Sequence, residues 1–259
     1  MDQSELNTLE GKGFVVIRGA VGSTLVDAAL EALERRRAVL TAIEPEAIDQ
    51  AMQSGFFPMW NASALWRIRE LSSLREPFEI IYGTKNLWVS LDRCGYRPAG
   101  SDHRGSLKLH WDDDCSRWDF AKVQGVVALS TAERCEGCFV CAPSLYRTYR
   151  ERGRYVADQL LQGGAVDTLD IELRPGDLLL FDYRLAHGTA VHRGPRVRAV
   201  QYLAFVPAGG VAERLRRLQC WETGVWRGRA SSQAYRVPDE QAPPLTEAGW
   251  RALARVDHD

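Results

Sequence analysis

The chain has 259 residues, of which 45% are hydrophobic and 26% are charged, and its formal net charge is −1. The composition is that of an ordinary globular protein with charges spread along the chain, so there is no electrostatic footprint for nucleic acid or an anionic membrane. The first ten residues are polar and acidic, and no apolar run is long enough to cross a bilayer, which predicts a cytoplasmic protein without a signal peptide.

The first third of the chain is predicted to be mainly helical. A β-branched run bounded by glycines, residues 13–19, predicts one early strand. Ser23 or Thr24 can cap the helix that follows, since apolar residues recur after them at helical spacing. Asn61 is the expected cap of a later helix, and a further helical segment is predicted to restart at Pro77.

From residue 87 onward the pattern changes to short strands separated by turns, which favours an antiparallel sandwich or barrel. Strands are predicted at 87–93, 107–112, 122–130, 138–141, 168–173, 177–181 and 197–206, with one helix at 146–161. We therefore expect a single, mainly β domain over residues 1–259. It would comprise a helical N-terminal part (about 1–86), a β core (about 87–207) and a C-terminal extension (about 208–259), which Trp221, Trp226 and Trp250 would pin onto the body.

Six cysteines occur, and Cys135, Cys138 and Cys141 form a C-x-x-C-x-x-C run. Such a run is compatible with zinc or an iron–sulfur cluster, but no fourth ligand stands at a recognisable spacing. Phe139 and Val140 lie within the run and indicate a buried strand. We predict reduced thiols with a structural role.

The stretch 107–114 (LKLHWDDD) carries the strongest chemical signal in the chain. As a strand it places His110 and Asp112 on one face, with their Cα atoms about 6.5 Å apart. An imidazole and a carboxylate at this spacing can share a metal ion if a second histidine arrives from elsewhere. Two histidines and one carboxylate suit non-haem Fe(II) and O₂ chemistry. The alternative is a surface strand end with solvated acids.

A second polar segment follows a buried-looking strand downstream. His187 ends that strand and is followed by Gly188 and Thr189, and Arg198 lies on a new strand after the turn at 194–195. At this point the sequence resembles the phytanoyl-CoA dioxygenase family of Fe(II)- and 2-oxoglutarate-dependent oxygenases. The resemblance covers about residues 13–206 and includes GFVVIRG, LWVSLDR, LHWD, VQGVVALS, EGCFVCAPSLYR, RPGD and HGT followed by an arginine.

The resemblance implies a double-stranded β-helix (jelly-roll, cupin-like) core with a helical cover. It also implies that His110, Asp112 and His187 hold Fe(II), with 2-oxoglutarate as co-substrate and O₂ as oxidant. Arg198 would grip the distal carboxylate of 2-oxoglutarate, and Thr189 would add a hydroxyl hydrogen bond. The chain departs from the family at residues 142–145 (APSL), where the family has PGSH.

Two alternatives stay open within this assignment. Arg196 competes with Arg198, because residues 196 and 198 share a face if the strand is regular, although the spacing from His187 favours Arg198. His192 competes with His187 as a ligand, but its position between two glycines indicates a loop.

Several further residues are candidates for the site. Gln124 is predicted to bind the co-substrate beside iron, and the alternative is a satisfied core amide. Trp111 and Arg93 are predicted to contact substrate. Weaker candidates for the surroundings of the site are Lys108, Asp113, Asp114, Trp60, Trp66, Trp88 and Trp118.

The residues and the resemblance together predict an oxygenase that oxidises, by hydroxylation in the simplest case, a small organic molecule of specialised metabolism. Oxidation would be coupled to the decarboxylation of 2-oxoglutarate to succinate and CO₂, and neither nucleic acid nor membrane would be a partner. The alternative is a jelly-roll metal-binding protein without 2-oxoglutarate turnover, either a cupin-like isomerase or a non-catalytic binding protein. The sequence does not identify the substrate.

Overall fold

The computed structural model describes residues 1–43, 55–57, 59, 62–91, 94–100, 107–112, 122–164, 166–223 and 245–254. Two antiparallel sheets form its centre, and helices accompany them. The strands are β1 (Phe14–Ile17), β2 (Phe56–Phe57), β3 (Leu87–Val89), β4 (Cys94–Arg97), β5 (Leu107–His110), β6 (Val123–Ala128), β7 (Phe139–Cys141), β8 (Leu169–Ile171), β9 (Leu178–Asp182), β10 (His187–Thr189), β11 (Arg198–Leu203) and β12 (Phe205–Pro207). The helices are α1 (Gln3–Lys12), α2 (Ser23–Ile43), α3 (Ser63–Arg69), α4 (Ser72–Tyr82), α5 (Pro143–Arg152), α6 (Arg154–Gln162), α7 (Val211–Thr223) and α8 (Glu247–Leu253).

The larger sheet has the strand order β1-β9-β6-β11-β4-β2, and the smaller one has the order β5-β10-β7-β8. A two-stranded sheet, β12-β3, completes the set. Every pairing between these strands is antiparallel. The architecture predicted from the sequence, a jelly roll with flanking helices, is confirmed. β1 and β2 join the larger sheet although they come from the part of the chain predicted to be mainly helical.

Strand alternation divides the larger sheet into two faces. One face packs against helices in the larger apolar cluster, to which β6 contributes Val127, β9 contributes Leu180 and β11 contributes Ala199. The opposite face belongs to a smaller cluster between the sheets, which contains Val126 and Val200. Val126 shares its face with Gln124, and Val200 shares its face with Arg198. Both polar side chains are therefore on the inner face.

The helices differ from the prediction in three places, and the strands predicted at 87–93 and 107–112 end earlier, at Val89 and His110. The helix predicted at 146–161 is two helices, α5 and α6, because Gly153 adopts φ 85° between them. Pro77 does not start a helix but lies inside α4, which begins at Ser72. The sequence reading also missed α1, which begins with a capping box formed by Asp2 and Glu5.

The C-terminal extension is anchored by one of the predicted tryptophans and by an arginine that was not predicted. Trp221 packs edge-on against Trp66 with the ring centroids 4.8 Å apart, as expected of a packing residue. Trp250 is 44% exposed, so the prediction that it pins the extension is wrong. Arg217 instead donates hydrogen bonds to the carbonyls of Leu253 and Val89, which tie α7 to α8 and β3. Trp226 and Asn61 lie outside the described residues.

None of the helices in the described ranges combines the length and apolar character that a membrane span requires.

Candidate metal centre

Three side chains from two distant segments converge at one end of the smaller sheet. His110 is the last residue of β5, Asp112 follows two residues later, and His187 is the first residue of β10. β5 and β10 are paired with His110 directly opposite His187. One potential ligand atom from each of the three residues lies within 4.8 Å of the others. They are the one such group of histidine, cysteine or carboxylate residues among the described residues.

The two histidines are oriented alike by the backbone. Nδ1 of His110 lies 3.0 Å from the carbonyl oxygen of Lys108, and Nδ1 of His187 lies 3.0 Å from that of Leu185. A carbonyl oxygen only accepts, so each Nδ1 carries the proton and each Nε2 presents a lone pair. The Nε2 atoms lie 3.6 and 3.7 Å from the carboxylate oxygens of Asp112. This backbone-anchored tautomer is the arrangement found around metal-binding histidines.

Two phenylalanines enclose the His187 ring. Phe139, from β7, stacks on it with an interplanar angle of 10° and ring centroids 5.5 Å apart. Phe181, from β9, approaches the ring to 4.6 Å. These contacts were not predicted. The sequence placed both phenylalanines on apolar strands but did not indicate that the two strands meet at His187.

The electrostatics of Asp112 and His187 favour metal-binding protonation states, whereas Asp112 favours the protonated form of His110 while no cation is bound. Burial acts to raise the pKa of Asp112, but the interactions with His110, His187 and Gln124 outweigh it and hold that pKa well below its usual range. Burial lowers the pKa of His187, which keeps its ring neutral. The neighbouring Asp112 raises the pKa of His110. An ionised carboxylate and neutral imidazoles are the forms that bind a divalent cation.

Gln124 contacts the trio directly, although not in the way predicted. Its Nε2 donates a 2.5 Å hydrogen bond to Oδ2 of Asp112. Gln124 is therefore neither an ordinary core amide nor, in this structure, a group directed only at a co-substrate. The sequence indicated a polar residue on an apolar strand but gave no way to identify its partner.

Arg198 begins β11 on the inner face of the larger sheet and is 5% exposed. Its Nε is buried and has no hydrogen-bond partner in the described part of the chain. Its side chain reaches the loop before β7 in the other sheet, because a Cβ added to Gly137 would lie 3.3 Å from Cδ of Arg198. Gly137 has φ 72°, a conformation that other residues rarely adopt. The arginine therefore lies between the two sheets.

Arg196 occupies a different environment from Arg198. It precedes β11, and its side chain is 54% exposed. Its Nε and Nη2 donate to the two carboxylate oxygens of the buried Glu136 at 2.6 and 2.9 Å, and Nη2 also lies 3.2 Å from Glu133. The guanidinium is thus occupied by carboxylates of the chain itself, which leaves Arg198 as the better candidate to receive an external carboxylate.

His192 is fully buried but stands apart from the trio of potential ligands. It forms an isolated β-bridge with Glu136 in the connection between β10 and β11. Burial lowers the pKa of its ring. The position matches the expected loop and gives no support to His192 as a metal ligand in place of His187.

The other predicted site residues fall into three groups. Thr189 is buried and, by alternation along β10, shares the face of His187. Trp111 is buried in an apolar cluster with Ala142, Leu145, Ala157 and Ala186, and its Nε1 donates to the carbonyl of Arg184, so its contacts are those of a packing residue. Arg93 lies outside the described residues, as do Asp113, Asp114, Trp60 and Trp118.

The remaining candidates are accounted for by exposure or packing. Lys108 is exposed. Trp66 and Trp88 are buried, the latter beneath the guanidinium of Arg217. Cys138 and Cys141 are buried and Cys135 is exposed; all three are free thiols and belong to no group of potential metal ligands among the described residues. The described chain is therefore a jelly roll that can hold a metal ion through two histidines and one carboxylate.

No protein-family model matches the chain, and no curated protein matches it in sequence. Solved structures match its fold. HygX from Streptomyces hygroscopicus, solved with nickel and 2-oxoglutarate bound, is 21% identical with a TM-score of 0.57, over 80% of this chain and 87% of its own. SnoK, a non-haem α-ketoglutarate-dependent carbocyclase from nogalamycin biosynthesis, is 17% identical with a TM-score of 0.57, over 80% and 85%. GlcNAc Inducible Gene 2 (GIG2) from Candida albicans is 13% identical with a TM-score of 0.68, over 98% and 76%.

At these identities the likeness shows a shared fold. Two of the three matched structures are linked by their descriptions to 2-oxoglutarate, and HygX has also been solved with iron bound.

Proposed function

We propose that this protein is an Fe(II)- and 2-oxoglutarate-dependent oxygenase, of the kind found in the phytanoyl-CoA dioxygenase family, that hydroxylates a small organic molecule. The overall reaction converts substrate R–H, 2-oxoglutarate and O₂ into R–OH, succinate and CO₂. The observation that carries the proposal is the convergence of His110, Asp112 and His187 within 4.8 Å, on the same sandwich that buries Arg198.

The donor set fits ferrous iron. Two imidazole nitrogens and one carboxylate oxygen form the ligand set that non-haem Fe(II) oxygenases use, and this set leaves positions open for co-substrate and oxidant. When bound, the iron and 2-oxoglutarate supply the activation of O₂. The chain supplies orientation: the carbonyls of Lys108 and Leu185 fix both imidazoles, and the rings of Phe139 and Phe181 exclude water from one side of His187.

Arg198 is the proposed anchor for the distal carboxylate of 2-oxoglutarate. A guanidinium binds a carboxylate through two parallel charge-assisted hydrogen bonds, and a buried one does so with little competition from water. Strand register supports the location. Along β10 and β7, His187 is paired with Cys141 and Thr189 with Phe139, and the chain before β7 leads to Gly137, beside Arg198. This register supports Thr189, two residues from His187 on β10, as the proposed hydroxyl donor to the same carboxylate.

Small-molecule oxidation in specialised metabolism is supported by the matched structures. HygX has been solved with nickel, 2-oxoglutarate and hygromycin B bound, and SnoK belongs to nogalamycin biosynthesis. We propose a substrate of comparable kind, a small natural product, without assigning its structure.

The test uses the full-length protein in the absence of oxygen. Fe(II) and 2-oxoglutarate together are expected to give a visible charge-transfer band that neither gives alone, and admitting O₂ is expected to release succinate slowly even without substrate. Asp112→Ala and Arg198→Met should lose the band at concentrations that saturate the wild-type protein. Arg196→Met, which removes the exposed arginine, should keep it.

The same experiment distinguishes the oxygenase from the alternative, a metal-binding protein of the same fold. Tight binding of a divalent metal with neither a charge-transfer band nor succinate would contradict the oxygenase and leave a jelly-roll metal-binding protein without 2-oxoglutarate turnover. Full succinate release by the Asp112→Ala variant would refute the ligand assignment.

A further inference from the structure

The two carboxylate oxygens of Asp112 have different surroundings. Oδ2 accepts the 2.5 Å hydrogen bond from Nε2 of Gln124 and lies 3.7 Å from Nε2 of His187. Oδ1 lies 3.6 Å from Nε2 of His110. A carboxylate only accepts hydrogen bonds, so the amide nitrogen of Gln124, and not its oxygen, faces Asp112. One oxygen is therefore engaged by a donor of the chain, and the other remains for a cation.

Gln124 lies within a strand that is hydrogen-bonded on both sides, whereas Asp112 lies outside any strand. Gln124 lies within β6, at the centre of the larger sheet, and pairs with Phe181 of β9, whose ring contacts His187. Asp112 follows the end of β5 and belongs to no strand. The Gln124–Asp112 hydrogen bond thus joins the two sheets, and it ties the carboxylate orientation to the larger one.

We propose that Gln124 is a positioning residue that makes Asp112 a one-oxygen metal ligand, with Oδ1 coordinating and Oδ2 retained by the amide. This inference rests on the proposed function in requiring a metal at the site. A carboxylate that binds through both oxygens occupies one more coordination position. Two imidazoles and one carboxylate oxygen leave three of six positions free, which is the number that a chelating 2-oxo acid and O₂ together require. Gln124 would therefore protect the position that the co-substrate needs.

The glutamine amide is suited to this task because it is neutral. It donates to the carboxylate without bringing a positive charge next to the metal, as lysine or arginine would. Its loss would free Oδ2, which already lies within 4 Å of the second histidine, to turn toward the ion.

The test compares Gln124→Met with Gln201→Met in the full-length protein loaded with Co(II), whose visible absorption reports the ligands and the geometry around the ion. Gln201 is the control: it is a glutamine of the same sheet, on β11, but it is fully buried and donates to the carbonyl of Leu65 on the helix-facing side. Gln124→Met is expected to change the Co(II) spectrum before co-substrate is added and to weaken 2-oxoglutarate binding about 10-fold. Gln201→Met is expected to lower thermal stability and leave both readouts unchanged.

A second variant guards against loss of folding. Gln124→Asn keeps the amide and shortens the side chain by one methylene, so it should show the same two changes if Gln124→Met does not fold. Variants of Gln124 with a wild-type Co(II) spectrum and wild-type 2-oxoglutarate affinity would overturn the positioning role while leaving the oxygenase intact. A wild-type protein that binds no Co(II) would instead overturn the metal site itself.

Discussion

The two faces of the larger sheet perform different tasks with the same strands. On the helix-facing side, β6, β9 and β11 contribute Val127, Leu180 and Ala199 to the larger apolar core. On the inner side, β6 and β11 contribute Gln124 and Arg198, and β9 contributes Phe181. One face therefore stabilises the fold, and the other presents polar groups toward the smaller sheet.

The inner side carries the buried Arg198, whose Nε has no hydrogen-bond partner among the described residues, and the partly exposed candidate ligands His110 and Asp112. Burying an unpartnered polar group is costly, and that cost must be offset by interactions elsewhere in the molecule. The extensive apolar packing on the helix-facing side can supply this stability, since it needs no polar group for function. We expect substitutions on the two faces to separate cleanly into effects on stability and effects on ligand binding.

The largest effect on stability is expected on the helix-facing side. Leu180→Ala removes a fully buried side chain and should lower the free energy of unfolding by about 2–5 kcal/mol. Chemical denaturation measures this loss. Co(II) affinity of the folded variant should remain within about 3-fold of wild type, because the leucine faces away from the site. A much larger change in affinity would show that the two faces are coupled.

The largest effect on binding is expected on the inner side. Arg198→Met keeps an unbranched stem and removes the guanidinium with its charge, so the affinity of the metal-loaded protein for 2-oxoglutarate should fall at least about 100-fold. Isothermal titration with 2-oxoglutarate measures the change. Arg196→Met is the control, with an expected change below about 3-fold, because Arg196 is half-exposed and bound to Glu136. Equal losses in the two variants would contradict the assignment of Arg198.

A smaller effect on stability and on 2-oxoglutarate binding is expected from a substitution in the loop before β7, which lies beside Arg198. Gly137→Ala places a Cβ 3.3 Å from Cδ of Arg198 and 3.4 Å from the carbonyl oxygen of Ala190, at a φ of 72°. We expect about 1–3 kcal/mol of destabilisation and about 10-fold weaker 2-oxoglutarate binding. Gly164→Ala is the matched control, because Gly164 has φ 79° but nothing within 4 Å of an added Cβ. Gly164→Ala should lower stability through backbone strain but leave the affinity for 2-oxoglutarate unchanged.

The last prediction concerns the reactivity of Cys135, Cys138 and Cys141 toward an alkylating reagent, and no substitution is needed to test it. Burial raises the pKa of Cys138 to about 11 and that of Cys141 to about 12, so at pH 8 fewer than about one in a thousand of these thiols is ionised. Iodoacetamide should therefore modify the exposed Cys135 and spare Cys138 and Cys141 in the folded protein, as mass spectrometry of tryptic peptides would report. Rapid modification of Cys141 would indicate that β7 opens beside His187.

Part of the candidate site was predictable because it is local. His110 and Asp112 are two residues apart, and alternation in the strand predicted at 107–112 placed them on one side, although the observed strand ends at His110. The resemblance to a family then connected them to His187 and Arg198. The convergence of potential ligand atoms from His110, Asp112 and His187 agrees with that connection.

Other features depended on contacts between distant segments. Arg196 is exposed and bound to Glu136, whereas Arg198 is buried between the sheets. This difference follows from where β11 begins and from the position of Glu136, which is sixty residues away from Arg196. From the sequence, Gln124 could be either a co-substrate ligand or a core amide. The structure shows that it donates a hydrogen bond to Asp112. Trp111 is close to His110 in sequence, yet its ring packs into a separate cluster with residues of α5 and α6.

The sequence by itself determined most of the strands, an antiparallel sandwich or barrel and the His-x-Asp pair, because these depend on alternation and on neighbours along the chain, and the family resemblance narrowed the class to a jelly roll. Only the tertiary structure decided which partners each polar side chain meets. A hydrogen bond such as that between Gln124 and Asp112 requires a residue of β6 and a residue just beyond β5, in the other sheet, to lie within a few tenths of an ångström of one geometry. No pattern along a single strand encodes that distance.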